Sequence, residues 1–337
     1  MAATNIEIWQ QGEVIDIIDV ARDIKRIVIR QSSTAKADPG SHLDLMVRVN
    51  GEMVRRSYSI VEQSSDMRDL TLGVFLVPNS RGGSIAMHNL HVDDQLDITQ
   101  PLLNFPLRVG ADRYVLVAGG IGVTALIEMA EVLKRIGADY TLLYAARSRD
   151  AMAFREELQA VHGDRLQLFF DDEKKFINIP ELVASLSGDT ELYMCGPIRL
   201  MDAVRREWAE SNLEFTNLRY ETFGVSGWYD PEDFIVRIPA KGIEVVVGKQ
   251  HSMLEALESA GVEMLSDCRK GECGLCEVRV TSLTGTVDHR DVFYSEHEKN
   301  ANYKISCCVS RIVTSATGLD ADADRSRGPA VVEIVTT

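Results

Sequence analysis

The sequence predicts a chain of three domains: an antiparallel β-barrel, an α/β domain built on a doubly wound parallel sheet, and a small α+β domain. Three observations carry this. From Ile6 to about Pro106, short runs alternate apolar and polar residues between frequent turn residues, the period of half-buried strands in a small barrel. From Tyr114 onward, apolar strand-like runs alternate with helix-like stretches, the order of a parallel, doubly wound sheet. In the last third, cysteines crowd one glycine-containing loop. At 337 residues the chain exceeds a single domain of about 100 to 200 residues. The expected boundaries are 1–108, 109–224, a linker at 225–240, and 241–337.

The barrel strands read as Arg26–Arg30, Leu43–Val49, Leu70–Phe75 and Gln95–Ile98. Arg56-Ser57-Tyr58-Ser59 falls at the end of another strand, where a guanidinium can meet phosphate and an aromatic can lie on a flat ring. An ordinary exposed strand with an alternating Tyr reads the same way. Arg81-Gly82-Gly83-Ser84 precedes Ile85–Leu90, so a short helix is expected with Ser84 as its N-cap. Free backbone N–H groups at such a start suit a phosphate, although a capped helix after a tight turn needs no ligand.

In the second domain the strands are Tyr114–Ala118, Tyr140–Tyr144, Leu166–Phe170 and Glu191–Cys195, with helices to Ile136 and over Arg199–Ser211. Gly119-Gly120-Ile121-Gly122-Val123-Thr124 follows a buried strand and opens a helix, the place where a doubly wound sheet binds dinucleotides. It departs from G-x-G-x-x-G, but its glycines still let a pyrophosphate or nicotinamide approach the backbone. Cys195-Gly196-Pro197 ends a later strand of the same sheet, so its thiol could face a nicotinamide; a lone Cys there is otherwise a small core residue.

Gly224–Asp233 is rich in turn residues and reads as a linker. A helix over Ser252–Ala260 follows, then the cysteines. Cys268-Arg-Lys-Gly-Glu-Cys273-Gly-Leu-Cys276, with Cys308-Val-Ser-Arg311 after a long gap, has the spacing that wraps a plant-type [2Fe–2S] cluster. Gly271 and Gly274 suit a loop that must turn tightly and present N–H donors to sulfur. A structural zinc site is the other reading of four cysteines, but zinc usually takes two short knuckles, not three thiols at x4 and x2. Ala321–Pro329 is polar and expected to be mobile, ahead of a last strand at Val331–Val335.

Hydrophobic content of 45% and charged content of 26% are those of an ordinary globular protein. A net charge of −15 argues against nucleic acid and anionic membranes as partners. The N-terminus lacks a signal-peptide pattern, and the uncharged run Tyr114–Ile127 is too short and glycine-broken for a membrane span. With four cysteines committed to iron, Cys195 and Cys307 remain, the pattern of a reduced, cytoplasmic protein. His289-Arg290-Asp291 imitates a kinase catalytic loop, but Glu296 stands where Asn is required and no Asp-Phe-Gly accompanies it; a salt-bridged structural turn is expected.

Together these strings resemble the phthalate dioxygenase reductase family, within the broader ferredoxin reductase group, over nearly the whole chain. The resemblance rests on Arg56–Ser59, Gly119–Thr124, Cys195–Pro197, Glu221-Thr-Phe223, Asp288–Asp291, Cys268–Cys276 and Cys308–Arg311. It implies a flavin barrel, an NAD-binding α/β domain and a β-grasp-like [2Fe–2S] ferredoxin domain. It further implies that Arg56, Ser57, Tyr58 and Ser59 hold the flavin, that Phe223 lies near its isoalloxazine, and that Arg81, Gly82, Gly83 and Ser84 form an FMN-phosphate loop. FMN is favoured over FAD because the barrel shows no obvious adenine-binding segment.

By the same resemblance, Gly119, Gly120, Gly122, Thr124, Cys195, Gly196 and Pro197 take the nicotinamide side of NADH, with Arg147 and Phe154 on the adenosine side. Arg147 and Arg149 would also suit a 2′-phosphate. The choice of Cys308 over Cys307 as fourth iron ligand rests on the Val-Ser-Arg that follows it. Ser59, Thr124 and Cys195 are the candidates around the hydride contact. The implied activity is an NADH-dependent reductase, monomeric, that passes electrons singly from FMN through the cluster to a Rieske-type terminal oxygenase component. The chain has no paired Cys-x-His motif of its own for a Rieske centre. A reductase serving a cytochrome or ferredoxin, or an iron–sulfur redox sensor, are the alternatives.

Overall fold

The computed structural model describes residues 7–78, 82–224, 227–314 and 329–336. The chain divides into two compact units, Met1–Gly196 with Ala203–Glu221, and Pro197–Asp202 with Thr222–Thr337.

The first unit begins with six antiparallel strands, β1 (Trp9–Ala21), β2 (Ile24–Gln31), β3 (Ser41–Val49), β4 (Glu52–Gln63), β5 (Asp69–Phe75) and β6 (Gln95–Thr99), followed by the short β7 (Leu102–Leu103). Their order is β4-β5-β2-β1-β6-β3-β7, and an additional β3–β4 pairing closes the six into a barrel. The interior follows from alternation: Ile27 and Ile29 of β2, Leu43 and Leu45 of β3, and Leu70 and Leu72 of β5 are fully buried in one cluster. Burying each such side chain contributes about 1.5–3 kcal/mol. Met87 of α1 (Gly83–His88) joins the same cluster, so this one-and-a-half-turn helix is held to the barrel by its own apolar residue. β1 carries register shifts between Val14 and Asp16 and between Asp19 and Ala21. Each shift resets the period-two pattern, which explains why the longest strand stands out least in the sequence.

The parallel sheet of the same unit comprises β8 (Arg113–Gly119), β9 (Tyr140–Ala146), β10 (Leu166–Phe170), β11 (Thr190–Cys195) and β12 (Leu218–Glu221). Its order is β10-β9-β8-β11-β12. The chain therefore builds outward from β8 in one direction, then returns to β8 and builds the other way. That reversal between β8 and β11 is the switch point where such sheets leave a crevice at their carboxyl ends. A 3-10 turn over Gly120–Ala125 precedes α2 (Ile127–Arg135), so the helix starts later than the glycine pattern suggests. α3 (Arg155–His162), α4 (Ile179–Ala184) and α5 (Ile198–Glu210) follow.

The second unit holds the sheet β14-β13-β19-β15-β17 and a two-stranded pair β16–β18. The strands are β13 (Phe234–Ile238), β14 (Ile243–Val247), β15 (Glu277–Thr284), β16 (Thr286–Asp288), β17 (Lys304–Ser306), β18 (Arg311–Val313) and β19 (Ala330–Thr336). α6 (Met253–Ser259) buries Met253, Leu254 and Leu257 against this sheet, and α7 (Glu296–Ala301) precedes β17. Both helices start in full capping boxes, Ser252 with Glu255 and Ser295 with Glu298, which satisfy N–H groups that the first turn leaves free.

Two expectations change. The linker at 225–240 is shorter than its boundaries, because Phe234–Ile238 is a strand paired with both β14 and β19. Residues 321–328 of the expected polar insertion lie outside the described residues. No helix among the described residues is long and apolar enough to cross a membrane.

Candidate functional site: two glycine cradles and four thiols

On the barrel, Arg56 lies against the start of α1: a Cβ added to Gly83 would meet Arg56 Nε at 2.2 Å. Gly82 is left-handed at φ 87, and a Cβ there would meet Val49 Cγ1 at 2.2 Å. Only glycines let this loop pack between strand and guanidinium. Ser84 is not the N-cap that the sequence suggests. Gly82 occupies that position, while Ser84 sits inside the first turn and its Oγ accepts from Val77 N at 3.1 Å. Arg81 lies outside the described residues. The loop and Arg56 together fit an anionic phosphate, which donors and a fixed cation stabilise.

Ser57 donates to Asp44, a buried carboxylate that Arg55 also engages. Tyr58 pairs across with Leu43 in β3 and packs on the barrel core, and burial pushes its hydroxyl pKa up. Ser59 is 5% exposed and its Oγ lies 3.5 Å from Glu221 Oε2. Glu221 is itself 4% exposed at the carboxyl end of β12. The sequence names Glu221 only as part of a matching string; its pairing with Ser59, 162 residues away, has no local signal.

At the switch point, the Gly119–Thr124 turn meets the end of β11. A Cβ on Gly122 would come within 2.2 Å of Cys195 O and 2.8 Å of Gly196 N, so the two strings are in backbone contact. Gly120 adopts φ 53 in open space. Thr124 is 2% exposed and donates its hydroxyl to Ile121 O at 2.9 Å, and its Cγ2 would lie 2.6 Å from a Cβ on Gly73 of β5. Cys195 is buried at 1%.

Arg147 is exposed at the carboxyl end of β9. Phe154 is 6% exposed, left-handed at φ 58, with its ring against Gly73. It packs in the interior of the unit. Pro197 and Phe223 fall in the second unit, Phe223 half-buried.

In the second unit the cysteine loop winds around sulfur. Backbone N–H groups of Lys270, Glu272 and Cys273 point at Cys268 Sγ at 3.5, 3.4 and 3.4 Å. Burial pushes the Cys268 thiol up, and these three donors oppose it. The thiols associate in two pairs, Cys268 with Cys273 and Cys276 with Cys308. The bond that Cys308 gives Cys276 holds the latter down to about 7 and drives Cys308 up. Among the described residues no three His, Cys, Asp or Glu side chains gather for a single metal ion. Two pairs of sulfurs fit two irons.

Cys307 turns the other way: fully buried, its Sγ lies 3.5 Å from Met253 Sδ in the core. Gly271 and Gly274 are left-handed at φ 81 and 74, and a Cβ added to them would meet Val309 Cγ2 at 2.6 Å and the Phe293 ring at 2.4 Å.

The remaining strings support the loop. His289-Arg290-Asp291 is a buried salt-bridged turn: Arg290 pairs with Asp288 at 2.6 Å, and Asp291 accepts from Tyr294 N at 3.0 Å. Arg290 N donates to Ser310 Oγ at 3.3 Å. Arg311 spends its guanidinium on the carbonyls of Glu232, Gly248 and His251, at 2.6–3.0 Å.

Two family models match, an oxidoreductase FAD-binding domain over residues 11–106 and a 2Fe-2S iron-sulfur cluster binding domain over residues 236–313. Phenoxybenzoate dioxygenase subunit beta of Ectopseudomonas oleovorans is 34% identical over 85% of this chain and 88% of its own. Vanillate O-demethylase oxidoreductase of a Pseudomonas species is 34% identical over 89% of this chain and 96% of its own. The solved structure of phthalate dioxygenase reductase, described as a modular structure for electron transfer from pyridine nucleotides to [2Fe-2S], superposes with TM-score 0.70 at 28% identity. It covers 96% of this chain and 98% of that one.

The chain belongs to the phthalate dioxygenase reductase family. This reductase is a flavin and iron–sulfur NAD(P)H oxidoreductase, the reductase component of an oxygenase system. Its antiparallel barrel is the flavin domain, its parallel sheet the nucleotide domain, and its C-terminal sheet the [2Fe–2S] ferredoxin domain.

Proposed function

We propose that this reductase takes a hydride from NADH onto FMN and delivers electrons one at a time, through a [2Fe–2S] cluster on Cys268, Cys273, Cys276 and Cys308, to a Rieske-type oxygenase component in the cytosol. The observation that carries the reading is the pairing of the four thiols, with Cys307 turned away. Bound flavin accepts an electron pair and releases it singly, which matches a cluster that carries one electron.

The protein's own residues position and exclude. Arg56 and the Gly82–Ser84 loop would hold the flavin phosphate, and Tyr58 would present its ring to the isoalloxazine. FMN is favoured over FAD because the barrel sequence shows no obvious adenine-binding segment. Gly120 and Gly122 would let the nicotinamide reach the backbone beside Cys195-Gly196, and Arg147 would meet the nucleotide phosphate. Ser59 and Glu221, both buried, would supply a hydroxyl and a carboxylate near the hydride contact. Such positioned groups align reactants and keep water out. The six free cysteines suit a reducing compartment.

Purified reductase should show flavin absorbance that NADH bleaches, with FMN as the only flavin released by heat. Release of FAD would remove the FMN assignment. Steady reduction of a purified Rieske oxygenase component, which stops when the cluster is lost, tests the acceptor.

A further inference from the structure

The carboxyl edge of the parallel sheet continues away from the switch point over β9 and then β10. A dinucleotide whose nicotinamide lies at Gly119–Thr124 and Cys195 therefore extends its adenosine half over the loops that follow these two strands. Arg147 and Arg149 stand after β9, and Asp171, Asp172 and Glu173 after β10. The two loops are tied by backbone bonds from Asp171 N to Ala146 O and from Asp172 N to Arg147 O, each 3.1 Å.

Arg149 is engaged on both its edge and its face. Glu173 holds Nε at 2.5 Å and Nη2 at 3.0 Å, and the guanidinium lies 4.4 Å from the centroid of the Phe170 ring. Lys175 is directed elsewhere, over Phe169 at 5.4 Å. Arg147 carries no ion pair among the described residues.

We propose that Glu173 sets the choice between the two nicotinamide dinucleotides, by holding Arg149 in a bidentate pair so that a 2′-phosphate on the adenosine ribose is denied that cation and meets a carboxylate instead. This rests on the reading of the sheet edge as the NADH site. A ribose bearing a free 2′-hydroxyl meets no such repulsion, and Arg147 remains open for the diphosphate that both dinucleotides share. The pair is solvent-exposed, so its loss leaves the fold intact.

The test compares wild type, Glu173→Gln, and Glu173→Gln with Arg149→Ala. It measures kcat/KM for NADH and NADPH with ferricyanide as acceptor, and 2′,5′-ADP against 5′-AMP binding by calorimetry. Glu173→Gln should raise kcat/KM for NADPH about tenfold and tighten 2′,5′-ADP similarly, with NADH and 5′-AMP nearly unchanged. The added Arg149→Ala should cancel that gain. An NADH-preferring wild type whose NADPH and 2′,5′-ADP values do not move in Glu173→Gln overturns the role of Glu173 alone. A wild type that prefers NADPH overturns this role and the NADH reading together.

Discussion

The Gly119–Thr124 turn and the Cys268–Cys276 loop are both rich in glycine, yet they need it for different physical reasons. At Gly122 the backbone conformation is ordinary and the constraint is room: Cys195 O and Gly196 N occupy the space a Cβ would take. At Gly271 and Gly274 the backbone is left-handed, and neighbouring side chains close in as well. The first loop brings two stretches of main chain together at the switch point of the sheet. The second bends main chain around sulfur so that N–H groups point inward. A glycine pattern therefore announces close approach without saying what approaches.

Removing a sulfur tests the second loop most severely. Cys308→Ser should leave little normal cluster, read as loss of its visible absorbance and iron content, whereas Cys307→Ser should keep both. The reverse would move the fourth ligand to Cys307. Gly122→Ala comes next, since a methyl 2.2 Å from a carbonyl oxygen forces backbone apart at a cost of about 3 kcal/mol. NADH-dependent flavin reduction should collapse while the cluster spectrum survives. Equal loss of both signals would show that the loops are not independent.

Gly271→Ala combines left-handed strain with contact against Val309 and Asp291, costing about 2 kcal/mol. Cluster content on purification should fall while NADH:ferricyanide turnover holds. The smallest effect belongs to Gly120→Ala, where φ is 53 and nothing lies within 4 Å. Strain alone costs about 1 kcal/mol, seen as a modest drop in thermal midpoint. A loss matching that of Gly122→Ala would mean that room, not conformation, is limiting there too.

The domains and the cysteine loop were legible because their signals are local: alternation along a strand, glycines after a buried run, thiols spaced x4 and x2. Legibility ended where a residue's meaning depends on distant chain. Ser84 has the composition of a cap, but Gly82 adopts the left-handed turn that precedes the helix, so Ser84 falls two residues inside, within the first turn. Nothing local to Phe154 announces that its ring packs against Gly73, some eighty residues earlier. The bulges of β1 hid the longest strand by breaking its period.

From the sequence alone came the three-domain order, the strand periods, the four sulfurs and the position of each glycine turn, since each depends on residue type and spacing over a few neighbours. Tertiary structure alone decided that Glu221 lies beside Ser59 and that Glu173 occupies Arg149. Those pairings join residues tens to hundreds of positions apart. Their geometry is set by how strands cross and pack, and no local pattern encodes it.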